Sequence, residues 1–174
     1  AANCTCAVWE GFDETLANIR AWHARIAAND DLLMPVTEAV HIHEAKAAGK
    51  VGIILGFQNT APVGDDLANV RRFHDLGVRV MQLTYNNRNL SGCGCMVGDD
   101  TGLTDFGRSL IDAMNEAGVL IDLSHVGART AADTLTHSAR PPAYTHCCPA
   151  ALLDHPRNKT DDQLRAMADA GGFI

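Results

Sequence analysis

The sequence predicts an α/β fold in which helices cover a parallel sheet, and within that class a partial (β/α)8 TIM-type barrel. Strand-like apolar runs alternate with amphipathic helical runs along the whole chain. Several runs are apolar at consecutive positions, as in Val51-Gly52-Ile53-Ile54-Leu55 and Val119-Leu120-Ile121. Strands buried on both faces have that composition. No G-x-G-x-x-G follows a strand and there is no Walker A motif, so an open nucleotide-binding sheet lacks its usual support. A (β/α)8 barrel typically needs about 250 residues. With 174 residues the chain is expected to hold six or so βα units in one domain, residues 1–174. The barrel's first and last strands are expected to lie outside it.

Taken in order, the strand candidates are residues 1–8, 32–36, 50–57, 78–84, 119–124, 142–145 and 171–174. The helix candidates are 13–28, 37–48, 65–76, 104–117, 128–137 and 161–170. Within 65–76, Leu67, Val70, Phe73 and Leu76 fall three apart while Asp65, Arg71, Arg72 and Asp75 take other positions, which is one buried stripe. Thr160 and Gln163 have the capping-box spacing, and Gly49, Gly77 and Gly118 stand where helices end.

Composition removes several classes of partner. Fourteen basic residues against 21 acidic give a net charge of -7, and the basic residues are scattered. Without a basic stripe to neutralise phosphates, nucleic acid is not expected. No apolar run approaches the roughly 18 residues of a membrane span, and the opening Ala1-Ala2-Asn3-Cys4 lacks the basic start of a signal peptide. A cytoplasmic location is the resulting expectation, with a homodimer open to the molecule. The six cysteines form three close pairs, Cys4/Cys6, Cys93/Cys95 and Cys147/Cys148, whose partners are too near in sequence to bridge each other readily. They read as buried or loop thiols.

The chemistry is expected just beyond the strand ends. Gln58-Asn59 follows the third candidate strand, Tyr85-Asn86-Asn87 the fourth, His125 the fifth and His146 the sixth. Four successive strands thus deliver a hydrogen-bonding or metal-binding side chain to the C-terminal rim, where barrel active sites converge. Neutral imidazole is a preferred zinc ligand, and two histidines from neighbouring strands can reach one ion. His41-Ile42-His43 lies in a helical stretch, where residues two apart diverge, so it reads as a surface pair. His23, His74 and His137 receive the same reading. Arg157 can clamp a carboxylate through its planar fork or pair with the nearby Asp161 and Asp162.

Together these residues resemble consecutive signatures of the membrane (renal) dipeptidase family, the M19 metallopeptidases. The likeness is carried by Asp122-Leu123-Ser124-His125-Val126, by Thr145-His146, and by His155-Pro156-Arg157-Asn158 with Asp161-Asp162-x-Leu164-Arg165. Leu83-Thr84-Tyr85-Asn86 and Asp100-Thr101-Gly102-Leu103-Thr104-Asp105-Phe106-Gly107 extend it along nearly the whole chain. The resemblance implies a zinc-dependent barrel hydrolase that cleaves dipeptides, often accepting a D-residue at the C-terminal position. It assigns His125 and His146 as metal ligands and Arg157 as the holder of the substrate carboxylate. Two departures stand out. Gln58 occupies the place of the family's metal-bridging Glu, which weakens a second metal site. Tyr85 replaces the His that steadies the tetrahedral intermediate, a change of donor that makes Tyr85 a catalytic and substrate-contacting candidate. The family's N-terminal His-x-Asp metal pair and its late Asp have no counterpart in these residues. The alternative reading is a non-catalytic relative that binds a small zwitterion without cleaving it.

Overall fold

The computed structural model describes residues 1–174. Its elements run β1 (Ala2–Ala7), α1 (Phe12–Ala27), β2 (Leu33–Pro35), α2 (Ala39–Ala47), β3 (Val51–Phe57), α3 (Ala68–Asp75), β4 (Val78–Gln82), α4 (Asp105–Ala117), β5 (Leu120–Asp122), α5 (Ala128–His137) and α6 (Asp161–Asp169). All strand pairs are parallel, in the order β1-β3-β4-β5. Single parallel bridges, Asp122 to Ala143 and Ala143 to Phe173, continue the sheet through two further chain passes. The result is a wall of six adjacent parallel positions, the partial barrel that the alternation implied.

The segment 32–36 forms the expected strand, but off the main path of the sheet. It forms a three-residue strand that pairs only with the first half of β3, Leu33 with Val51 through Pro35 with Ile53. It is therefore a side strand and not a member of the wall. Residues 142–145 and 171–174 hold the wall by isolated bridges and not by full strands.

Local chemistry accounts for the helix limits. The Thr104 hydroxyl accepts from Gly107 N–H at 2.9 Å to open α4, and Gly118, at φ 78°, closes it in the left-handed region that glycine enters freely. Thr160 and Gln163 cap each other at the start of α6. In α1 the spacing of Phe12, Leu16, Ile19, Trp22 and Ile26 sets one apolar face against the sheet. Between wall and helices lie Leu55, Phe57, Phe73, Met81, Leu83, Ile111, Ile121 and Leu123. Phe73 meets Phe57 edge-on at 4.9 Å between ring centroids.

Strand alternation then decides where polar groups go. Met81, Leu83, Ile121 and Leu123 join the helix-facing core. Gln82, Thr84, Asp122 and Ser124 alternate onto the other face, where they are buried yet polar. Gln82 and Asp122 are direct cross-strand neighbours. This face and the loops above its C-terminal end carry the site.

Candidate metal centre

His125 and His146 follow neighbouring positions in the wall, and their Nε2 atoms lie 3.0 Å apart. Each ring is held from behind through Nδ1. His125 Nδ1–H donates to Asn86 Oδ1 at 2.8 Å, and the Cys95 thiol donates to the same oxygen at 3.4 Å. His146 Nδ1–H donates to Thr145 Oγ1 at 2.9 Å, and that hydroxyl donates to Asp122 Oδ2 at 2.7 Å. With both protons on Nδ1, each Nε2 presents a bare lone pair to the other. Two lone pairs at this distance repel unless a cation lies between them. Second-layer acceptors that set the tautomer of a metal-binding histidine do this work in metalloproteins generally. The donor set therefore fits a zinc ion, which two imidazole nitrogens bind at about 2.0–2.1 Å each.

The electrostatics keep both rings neutral. Burial pushes His125 down to about 3, with Arg157, His146 and Lys159 adding to the effect. His146 is lowered too, first by burial and then by Arg157 and Lys159, against the opposing pull of Asp122. Neutral imidazole is the form that ligates a metal.

Asp122 anchors this arrangement. It is 1% exposed and accepts from Ser124 N–H, the Ser124 hydroxyl, Thr145 N–H and the Thr145 hydroxyl. Ser124 Oγ in turn accepts from His146 N–H at 3.0 Å. One carboxylate thus organises both strand ends that deliver the imidazoles. Asn86 takes its place through a left-handed backbone, φ 60°, which Asn tolerates better than most residues.

The other expected residues fall as follows. Tyr85 stacks on His125, centroids 4.2 Å apart and planes 24° from parallel, and Trp9 meets Tyr85 edge-on at 5.4 Å. Arg157 Nη2 donates to the carbonyl of His146 at 2.6 Å, while its buried Nη1 has no partner. The acidic pair Asp161 and Asp162 binds Arg165 and leaves Arg157 free. Gln58 continues β3 by donating its N–H to Ala7 O at 2.9 Å and accepting Gln82 Nε2 on its carbonyl. Its half-buried side chain makes no hydrogen bond and touches neither imidazole through one. No third His, Cys, Asp or Glu joins His125 and His146 to complete a ligand cluster. His41 accepts the N–H groups of Thr37 and Glu38 on Nδ1, so it closes the start of α2.

Sequence reasoning placed Asn86 on the rim and quoted Thr145 and Asp122 within motifs, but gave none of the three a role. Asp122 gave a signal, a carboxylate at the end of an apolar strand. Asn86 gave almost none, because polar residues after strands are ordinary.

Comparison with known proteins gives the family. The family model described as membrane dipeptidase, peptidase family M19, matches residues 1–174. The chain belongs to the membrane dipeptidase family. An amidohydrolase from Pseudomonas aeruginosa superposes with a TM-score of 0.97 at 46% identity, over 99% of this chain and 53% of its own. A metallo peptidase from Rhodobacter sphaeroides, solved with a phosphinate mimic of the dipeptide L-Ala-D-Ala, gives 0.84 at 27% identity, over 92% and 48%. An uncharacterized dipeptidase of Schizosaccharomyces pombe is 35% identical over 72% of this chain and 31% of its own length. The chain thus spans about half or less of the relatives that it matches. None of its helices is long and apolar enough to cross a membrane.

Proposed function

We propose that this protein is a zinc-dependent dipeptidase. The observation that carries the reading is the pair of Nε2 atoms 3.0 Å apart, beside a guanidinium whose Nη1 is buried without a partner. His125 and His146 would hold the metal, whose chemistry when bound is to lower the pKa of water and polarise a carbonyl. A full zinc site needs further ligands, and Gln58, at the end of β3, is the neutral candidate from this chain. Arg157 takes the C-terminal carboxylate of the dipeptide on the N–H groups that His146 O leaves free. That fixes the peptide bond against the imidazole pair and favours short substrates with a free carboxylate. The Tyr85 hydroxyl donates to the carbonyl oxygen as negative charge develops there. The Tyr85 ring, lying flat on His125, shields one face of that ligand from water.

A second reading follows from Gln58. A neutral amide bridges two cations less well than a carboxylate, so a relative that binds a zwitterion without cleaving it retains support. One experiment separates the two. Zinc titration by equilibrium dialysis is combined with an Ala-Ala hydrolysis assay, on the full-length wild-type protein and on its His125→Ala variant. Zinc-dependent release of alanine, lost in the variant, supports the dipeptidase. Binding of Ala-Ala with no turnover at saturating zinc selects the binder.

A further inference from the structure

Lys159 is the most deeply enclosed cation in the protein, 2% exposed, and the reading above gives it no task. Its ammonium donates to Val126 O at 3.0 Å and lies 5.0 Å from the centroid of the Tyr144 ring. Val126 is the residue after His125. The Lys159 backbone pairs in both directions with the segment after His146: its N–H donates to Cys148 O at 2.9 Å, and its carbonyl accepts from Ala150 N–H at 2.7 Å. These bonds close a loop whose far side carries His155, Pro156 and Arg157. One residue therefore ties the Arg157 loop to the strand end that bears His125.

The charge balance points the same way. Burying an ammonium without a counter-ion is costly, and buried charges are normally paired. Yet no carboxylate pairs with Lys159 or with Arg157. Asp122, whose charge Lys159 does feel, is already bound by four donors. Two cations two residues apart thus stand without an anion in a chain of net charge -7. An incoming carboxylate is the partner that this corner lacks.

We propose that Lys159 is a positioning residue of the substrate-carboxylate site: it fixes the loop that presents Arg157, and its unpaired charge favours an anion there. This rests on the assignment of Arg157 to a substrate carboxylate. The test compares the free acid Ala-Ala with its C-terminal amide, in zinc-loaded wild type, Lys159→Met and Arg157→Met, recording KM, kcat and zinc content.

Wild type is expected to prefer the acid in KM by tenfold or more. Lys159→Met raises KM for the acid at least fivefold, leaves KM for the amide within twofold, and keeps kcat within threefold and zinc content unchanged. An equal effect on acid and amide, or a loss of zinc, overturns the proposal and makes Lys159 a packing residue. If Lys159→Met does not fold, the variant Arg157→Met decides: a remaining severalfold preference for the acid supports Lys159, and no preference overturns it. If wild type hydrolyses neither substrate, the dipeptidase reading fails by itself, and calorimetric binding of the same two compounds replaces KM. Absence of acid binding by wild type overturns the proposal as well.

Discussion

Asn86 Oδ1 lies 2.8 Å from His125 Nδ1, on the side of the ring opposite the Nε2 that faces His146. An amide oxygen in that position accepts a proton, so it selects the tautomer whose outward nitrogen is free. Thr145 and Asp122 do the same for His146 through a hydroxyl. The two rings are oriented by different elements, so either support can be removed alone.

Removing them is expected to weaken zinc binding without abolishing the fold. Asn86→Ala and Thr145→Val should each raise the zinc Kd by about 10–100-fold, the usual cost of losing such a support. Competition with a chromophoric chelator measures this directly. An unchanged Kd in both variants would show that the tautomers are set in some other way.

Tyr85 offers a separable prediction because its ring and its hydroxyl have different tasks. Tyr85→Phe keeps the 4.2 Å stack on His125 and removes only the donor. The expected result is kcat lowered more than tenfold with zinc affinity unchanged, in line with loss of one donor to a developing oxyanion. Steady-state kinetics beside metal analysis checks both halves, and an unaltered kcat rejects the role.

Gln58 predicts the metal count. The full-length wild-type protein should hold one zinc tightly and a second weakly or not at all, and Gln58→Glu should strengthen the second by restoring a charge that two cations can share. Inductively coupled plasma analysis after dialysis gives the stoichiometry. Two stoichiometric zinc ions in wild type would refute the expectation.

Asp100 predicts a pH dependence of stability. Burial raises its pKa, but the Thr130 hydroxyl and the N–H groups of Gly102, Thr130 and Arg129 outweigh that and hold it below the usual carboxylate range. A depressed folded-state pKa contributes stability above the unfolded value, near 3.9, and loses it as pH falls through the folded value. Asp100→Asn should therefore cost about 1–2 kcal/mol at pH 7, given hydrogen bonds to a partly exposed charge. The gap should shrink progressively below about pH 4. Urea unfolding across an acid series tests the sign. Gly127 shares this contact: a Cβ there would come within 2.3 Å of Asp100 Oδ2, so Gly127→Ala should disrupt the same anchor.

Much of the architecture was legible because it follows from periodicity. Residues 128–137 form α5 as predicted, and α1, α4 and α6 start or stop within a residue of expectation, since caps and apolar spacing are local signals. Segment 32–36 is the strand its apolar run predicts, but its place in the sheet was not legible, because a short run looks alike whether it joins a wall or merely lies against one. Its pairing depends on β3, which is distant in sequence.

The sequence by itself determined the class of fold, the rim on which chemistry gathers, and the residue types placed there, because each depends on neighbours a few positions away. Tertiary structure alone decided that His125 and His146 meet nitrogen to nitrogen, that Asn86 and Asp122 stand behind them, and that the Lys159 ammonium lies buried on the carbonyl of Val126. Those relationships join residues 21 to 39 positions apart. Only the curvature of a parallel sheet, which brings successive strand ends to one side, can make them neighbours.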